Sequence, residues 1–278
     1  MSSLLQSYNE ALHHLTETEE RIASFVISHP EEALDLPVQD LARRLEVAPS
    51  MIIKAAKKLG FSGYTQLRLA IASELNLLVQ REKSSVMIED LEAYDQLVSS
   101  TIREAYSRLN EDDVEAAARL LAGAQIVDIY AFGFDALAGH DLYLKMLQSG
   151  KRVKLIENGY EQMISAYTLE SDSVIVAISS AGTSADLIDA LRFSQKSGVS
   201  VITITPARSM LSGYSKVNLE SYYSKLVFPE GGLVTRIVQL MIVDMLYLQF
   251  LKISGKKFEE RYSKFREVLD FKRRGMKK

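Results

Sequence analysis

Apolar positions in the first 80 residues recur every three or four residues, the spacing of one helix face. Thr16 stands before an acidic first turn, and Ile22, Ala23, Phe25 and Val26 form the stripe behind it. Acids in a first turn suit the helix dipole. Pro30 ends that helix, because its ring cannot continue the hydrogen-bond ladder. A second helix follows Pro37, with Val38, Leu41, Ala42 and Leu45 on one face. After Glu46, Val47 and Ala48 a third opens at Pro49, a favoured first-turn residue, and stops at Gly60. A longer helix is predicted over roughly Tyr64 to Gln80. Residues 81–95 (REKSSVMIEDLEAYD) are polar and weakly periodic and read as a linker; LVSSTIREAYSRLN and DDVEAAARLLAGA read as two further helices.

After Ala124 the period changes. IVDIYAF, RVKLIE, SVIVAIS and SVITIT are short β-branched runs separated by helical stretches. Strands apolar on both faces, alternating with helices, predict a parallel sheet covered by helices. KVNLE and LVF are candidates for further strands, and LVTRIVQLMIVDMLYLQFLKI for a long, largely buried helix. The fold class is therefore α/β. An all-helical domain spans 1–80, a linker and connecting helix 81–109, and an α/β domain with a helix-flanked parallel sheet 110–278.

Composition narrows the chemistry. The 278 residues are 47% hydrophobic and 25% charged, an ordinary globular balance, and contain no Cys. That removes thiolate nucleophiles, Cys-ligated zinc and iron–sulfur clusters. No uninterrupted apolar run reaches about 18 residues, so no membrane span is expected. The first residues lack the basic segment and compact apolar core of a secretory signal, so a cytoplasmic protein is expected. The net charge of −3 is unevenly spread. Met1 to Gln39 carries one base against seven acids, and Asp40 to Lys83 eight bases against four acids. Asn110 to Phe250 carries eleven bases against sixteen acids, and Leu251 to Lys278 eleven against four. A short basic segment beside an acidic block suits either a polyanion-binding element or two solvated helical faces.

Segment 38–59 (VQDLARRLEVAPSMIIKAAKKL) favours the first, against an ordinary helical hairpin with a solvated lysine face. Two helices meet across a turn of a few residues, with small Ala42 allowing close approach and Val47 plugging the turn. Ile52, Ala55, Ala56 and Leu59 make the buried face of the second helix. Ser50, Lys54, Lys57 and Lys58 make the opposite face, with Ile53 the apolar exception. A basic outer face on this helix suits insertion into the major groove of DNA. With Gln39, Arg43 and Met51, these are the residues expected to meet operator DNA. Two positions carry a local cost. Glu46 stands where such turns favour positive φ, and Ala48 replaces a Ser or Thr cap, at about 1 kcal/mol each.

In the α/β domain, ligands are expected beyond the carboxyl ends of the strands. Two loops fall there: 131–135, after the first strand, and 179–184 (SSAGTS), between a strand and a helix. Hydroxyls and free backbone N–H groups at a helix N-terminus suit an anion, and equally suit simple capping. The expected ligand-binding residues are Gly133, Asp135, Ser179, Ser180, Gly182 and Ser184. No metal constellation or catalytic triad is visible, and no cofactor is expected. His13, His14 and His29 read as surface or capping residues, His140 as packed, and Glu157 and Glu230 as surface acids rather than general bases.

Together these segments resemble the RpiR family of bacterial transcriptional regulators, which joins an N-terminal helix-turn-helix to a sugar isomerase (SIS) domain sensing phosphosugars. LTETEERIASFVISHPEEALDLPVQDLARRL is similar to the family's opening, KKLGFSGYTQLRLAIA to the close of its DNA-binding domain, and TRIVQLMIVDMLY to its final helix. AISSAGTSADLIDAL resembles its S-x-S-G-x-T phosphate loop. There the first hydroxyl is kept at Ser179, the second is lost at Ala181, and Ser184 replaces the Thr. In the first loop, usually G-x-G-x-S, Ala131 replaces the first Gly, Gly133 keeps the second, and Asp135 stands where a Ser would meet phosphate. A carboxylate about 5 Å from a phosphate charge repels it by roughly 3 kcal/mol at an effective dielectric of 20. Met51 and Lys54 stand where the family often has Thr and Arg, and Lys cannot make Arg's two-pronged contact to guanine. The resemblance implies a non-enzymatic regulator of carbohydrate-metabolism genes, controlled by a sugar phosphate or related effector; a homodimer or homotetramer is expected because the helix from Leu233 to Ile253 is apolar nearly all round and a single sheet covers only one side of it. The alternatives are a phosphosugar isomerase with an appended helical domain, and a regulator whose α/β domain only dimerises it.

Overall fold

The computed structural model describes residues 7–8, 10–72, 86–87, 90–222, 227–228 and 234–275. Helix α1 (Glu17–Ser28) starts where the acidic turn predicts. Its reciprocal cap has the Thr16 hydroxyl accepting from Glu19 N at 3.4 Å while Glu19 Oε2 accepts from Thr16 N at 2.9 Å. Pro30 ends α1 as expected, but it also opens a further short helix, α2 (Pro30–Asp35), which the periodicity missed. Proline blocks the turn before it and suits the first position of the next.

Helices α3 (Val38–Arg44) and α4 (Pro49–Lys58) follow. Leu41, Ala42, Ile52, Ala55, Ala56 and Leu59 are all buried. The turn is closed by Val47 N–H donating to Ala42 O at 2.9 Å. Arg21 donates to Leu45 O at 2.9 Å and ties that turn to α1. Glu46 has φ 54°, and Ala48 gives α4 no side-chain cap, as the sequence predicts. Helix α5 is described over 64–72; the remainder of the run predicted to Gln80 lies outside the described residues.

The connection differs from expectation. Residues Val86–Met87 form a short strand, β1. Helix α6 (Leu91–Arg108) begins inside the segment read as linker, its start capped by Asp90 accepting from Ala93 N at 2.7 Å. Helix α7 (Glu111–Gly123) follows.

The α/β domain then alternates as read: β2 (Ile126–Tyr130), α8 (Asp135–Gln148), β3 (Arg152–Ile156), α9 (Gly159–Thr168), β4 (Ser173–Ile178), α10 (Ala185–Ser197), β5 (Ser200–Thr205) and β6 (Val217–Glu220). The five strands are parallel in the order β3-β2-β4-β5-β6. The expected strand in LVF exists as β7 (Val227–Phe228) but pairs with β1 in a separate two-stranded sheet. Helices α7, α8 and the long α11 (Thr235–Gly275) cover one face, over Val127, Ile129, Val174 and Val176. Gly139 lets α8 approach closely; a Cβ there would lie 3.0 Å from Leu155 Cδ1. Helices α9 and α10 cover the other face, over Tyr130, Ile175 and Ala177, and that core runs on into the helical domain.

Helix α11 carries two findings. Over Thr235–Gly255 it has the length and apolarity of a membrane span, mean hydropathy 1.5, although charged and polar residues interrupt its apolar run. It buries Val238, Ile242, Val243, Leu246 and Phe250 in the α/β core. Its flanks lie on α6, α7 and α8 of the same chain, while Leu248 stays 58% exposed. Gly255 breaks it at φ 46°, ψ −127°, and Arg261 beyond the break packs over Gly150.

Candidate DNA face and ligand crevice

Helix α4 turns its basic side to solvent. Ser50, Ile53, Lys54 and Lys57 are exposed, and Met51 is half-buried; on α3, Gln39 and Arg43 are exposed, with Arg43 paired to Asp40. Lys58 is held differently. Its ammonium lies 2.6 Å from Glu19 Oε2 and donates to His14 O at 2.8 Å, while Lys54 reaches Glu19 Oε1 at 3.5 Å. Glu19 is wholly buried. Burial pushes its carboxyl up, but the Lys58 ammonium and the two Thr16 bonds overcome that and hold it near a pKa of about 2. So Lys58 first serves as a brace between α4 and α1, which its place on the outer face did not reveal.

The sheet order reverses direction at β2, which lies between β3 and β4, and such a switch point opens a crevice at the carboxyl ends of β2 and β4. Both predicted loops lie there, and they touch. Asp135, at the start of α8, accepts through Oδ2 from Ser180 N at 2.9 Å and Ser180 Oγ at 3.2 Å. Its Oδ1 accepts from Gln239 Nε2 at 2.7 Å. Ser179 is buried, its Oγ accepting from Gly182 N at 3.0 Å. Gly182 has φ +68°, and a Cβ there would lie 2.3 Å from Ser209 Cβ, so only glycine fits. Gly133 is exposed and Ser184 half-buried at the start of α10, with no side-chain cap bond.

Gln239 was missed. Its only signal is a neutral polar residue on the face of α11 that otherwise buries Val238, Ile242 and Val243. His140 is exposed rather than packed, because it falls on the outer side of α8. His29 stacks on Phe25 at 4.7 Å between the first two helices. Glu157 is exposed, and Glu230 lies outside the described residues. Among the described residues no three His, Asp or Glu side chains gather to hold a metal. Beneath α9, Asp128 is buried with Ser165 donating to it, and burial raises its carboxyl despite that bond.

The two domains meet at a polar seam. Tyr8 and Tyr214 hydroxyls lie 2.9 Å apart, and Tyr214 also donates to Glu20 of α1. Arg192 of α10 reaches Glu20 at 3.1 Å and Asp189 at 3.2 Å. Burial pushes the Tyr8 hydroxyl up to about 12. The seam joins the crevice: Tyr214 ends the short helix Leu211–Tyr214, and Leu211 N–H donates to Gly182 O at 3.1 Å.

Residues 2–77 match the description "Helix-turn-helix domain, rpiR family", and residues 120–249 match "SIS domain". A bifunctional protein glk of Burkholderia orbicola is 27% identical over 251 residues, 88% of this chain and 39% of that protein. The chain thus spans well under half the length of the glk relatives it matches. An uncharacterized HTH-type transcriptional regulator of Caldanaerobacter subterraneus is 24% identical over 94% of this chain and 93% of its own. The Vibrio vulnificus NanR protein, in a structure complexed with ManNAc-6P, shares the fold. Its TM-score is 0.61 at 18% identity, over 96% of this chain and 97% of NanR.

Proposed function

We propose, for a chain that belongs to the RpiR family by its two matched domains, the function of a cytoplasmic transcriptional regulator of carbohydrate-metabolism genes whose SIS domain takes a sugar phosphate or related effector. The observation that carries this reading is the exposure of α4 on a domain docked against α10, the helix that leaves the crevice loop. Gln39, Arg43, Ser50, Met51, Lys54 and Lys57 meet DNA, with Lys58 behind them. Gly133, Asp135, Ser179, Ser180, Gly182 and Ser184 line the effector crevice. A carboxylate held by three donors, as Asp135 is, suits fixing a shape better than exchanging protons, which favours a sensor over an isomerase. Recovery of genomic fragments by the full chain, followed by sequencing, tests the reading. A shared site near sugar-metabolism genes is expected, and failure to enrich any site would sink it.

The regulator works as a homodimer or homotetramer, since two half-sites raise affinity through effective concentration. Phe134, at the cap of α8, and Leu137, Leu144 and Leu147 on it are each 42–55% exposed and give an apolar stripe for a second subunit. A monomer in sedimentation at micromolar concentration would refute this.

A further inference from the structure

The crevice between the strand-end loops is closed by the protein's own carboxylate. A carboxylate offers about four lone-pair positions, and Asp135 accepts from Ser180 N, Ser180 Oγ and Gln239 Nε2. Ser180 N–H is one of the backbone donors that this strand-to-helix loop could offer an outside anion. That donor is therefore already taken by an anion. Gln239 is wholly buried. Beside an acceptor-only carboxylate its amide has one workable orientation, Nε2 toward Asp135. That leaves Gln239 Oε1 buried with no hydrogen-bond partner among the described residues. Buried acceptors are rarely left without a donor, and this one belongs to the amide that touches Asp135.

The geometry points to a site for an uncharged, hydroxyl-bearing ligand: Asp135 stands where a phosphate group would sit, and Gln239 Oε1 receives a ligand hydroxyl. This rests on the crevice being the effector site. Gln239 then sets specificity with both ends of one amide, fixing the internal occupant through its nitrogen and reading the ligand through its oxygen. A phosphate ester at the same seat would face a like charge and would have to displace three hydrogen bonds.

Isothermal titration of the full chain with a free hexose, its 6-phosphate and inorganic phosphate tests this, on wild type, Asp135→Ser and Asp135→Asn. The wild type is expected to bind the ester no more tightly than the parent sugar and to give no saturable heat with inorganic phosphate. Asp135→Ser should bind inorganic phosphate and prefer the ester by at least about tenfold, the equivalent of 1.4 kcal/mol. Asp135→Asn keeps the size, removes the charge, and should move the same way by a smaller factor; it stands in if the Ser variant does not fold. A wild type silent toward all three probes, beside variants that gain phosphate, supports the internal occupant. A wild type that prefers the ester tenfold, or folded variants that gain nothing, overturns it. DNA affinity measured on the same samples separates the two ideas, because loss of the regulator reading leaves the phosphate titrations standing.

Discussion

Glu46 and Ala48 each hold a conformation or position that a different side chain would fit better. Glu46 keeps φ 54° in the turn between α3 and α4, a left-handed geometry that costs an L-residue roughly 1 kcal/mol or more. Glu46→Gly should raise stability by about 1 kcal/mol, and Ala48→Ser by about the same through a new cap on α4. Thermal unfolding of the single and double variants checks both; a double variant no more stable than wild type would show that the turn is compensated elsewhere. Glu19 makes a pH prediction. Its folded pKa of about 2 lies below the ordinary carboxylate value of 4.5. Its contribution is therefore complete above pH 4.5 and lost as pH falls toward 2, on the order of 3 kcal/mol. Glu19→Gln should be less stable than wild type at pH 7, with the gap narrowing as pH falls through that window, as followed by denaturant melts.

At the scale of elements, the strands and the two helices of the DNA-binding motif were legible because each carries its own period. Short β-branched runs separated by helices match β2 to β5 nearly to the residue, and the candidate KVNLE matches β6. Helix α2 was not legible, because six residues cannot display a period, and β1 and β7 were weak for the same reason. The crevice loops were readable from their small and hydroxylated residues, but the bond between them was not. Asp135 and Ser180 are 45 positions apart, and Gln239 joins from 104 positions away, so only the sheet order brings them together. Lys58 shows the same limit: its helix face predicted solvent, and a tertiary partner, Glu19, claimed it. A consequence can be measured. Lys57→Ala should weaken DNA binding and reduce its salt dependence by up to about one unit of slope, with little change in melting temperature. Lys58→Ala should lower the melting temperature, because it leaves a buried carboxylate without its nearest cation. Equal thermal effects from both changes would contradict this division of labour.

In the whole molecule, the seam between the domains is polar where most of the surrounding core is apolar. Glu20 takes bonds from Tyr214 and Arg192, so Glu20→Gln should leave Arg192 poorly compensated and cost about 2 to 3 kcal/mol. It should also reduce any effect of a crevice ligand on DNA affinity, since Leu211 and Tyr214 connect the two. Titrations of DNA with and without ligand, wild type against variant, test this; coupling of unchanged size would remove the seam from the route. The seam also has a history in time. Tyr8 and Tyr214 are 206 positions apart. At about 5–20 residues per second of synthesis, the first helices leave the ribosome roughly 10 to 40 s before their docking partner exists. During that interval Glu20 and the apolar face around it stand open to solvent. The helical domain must therefore hold its own shape while it waits for the second half to reach it.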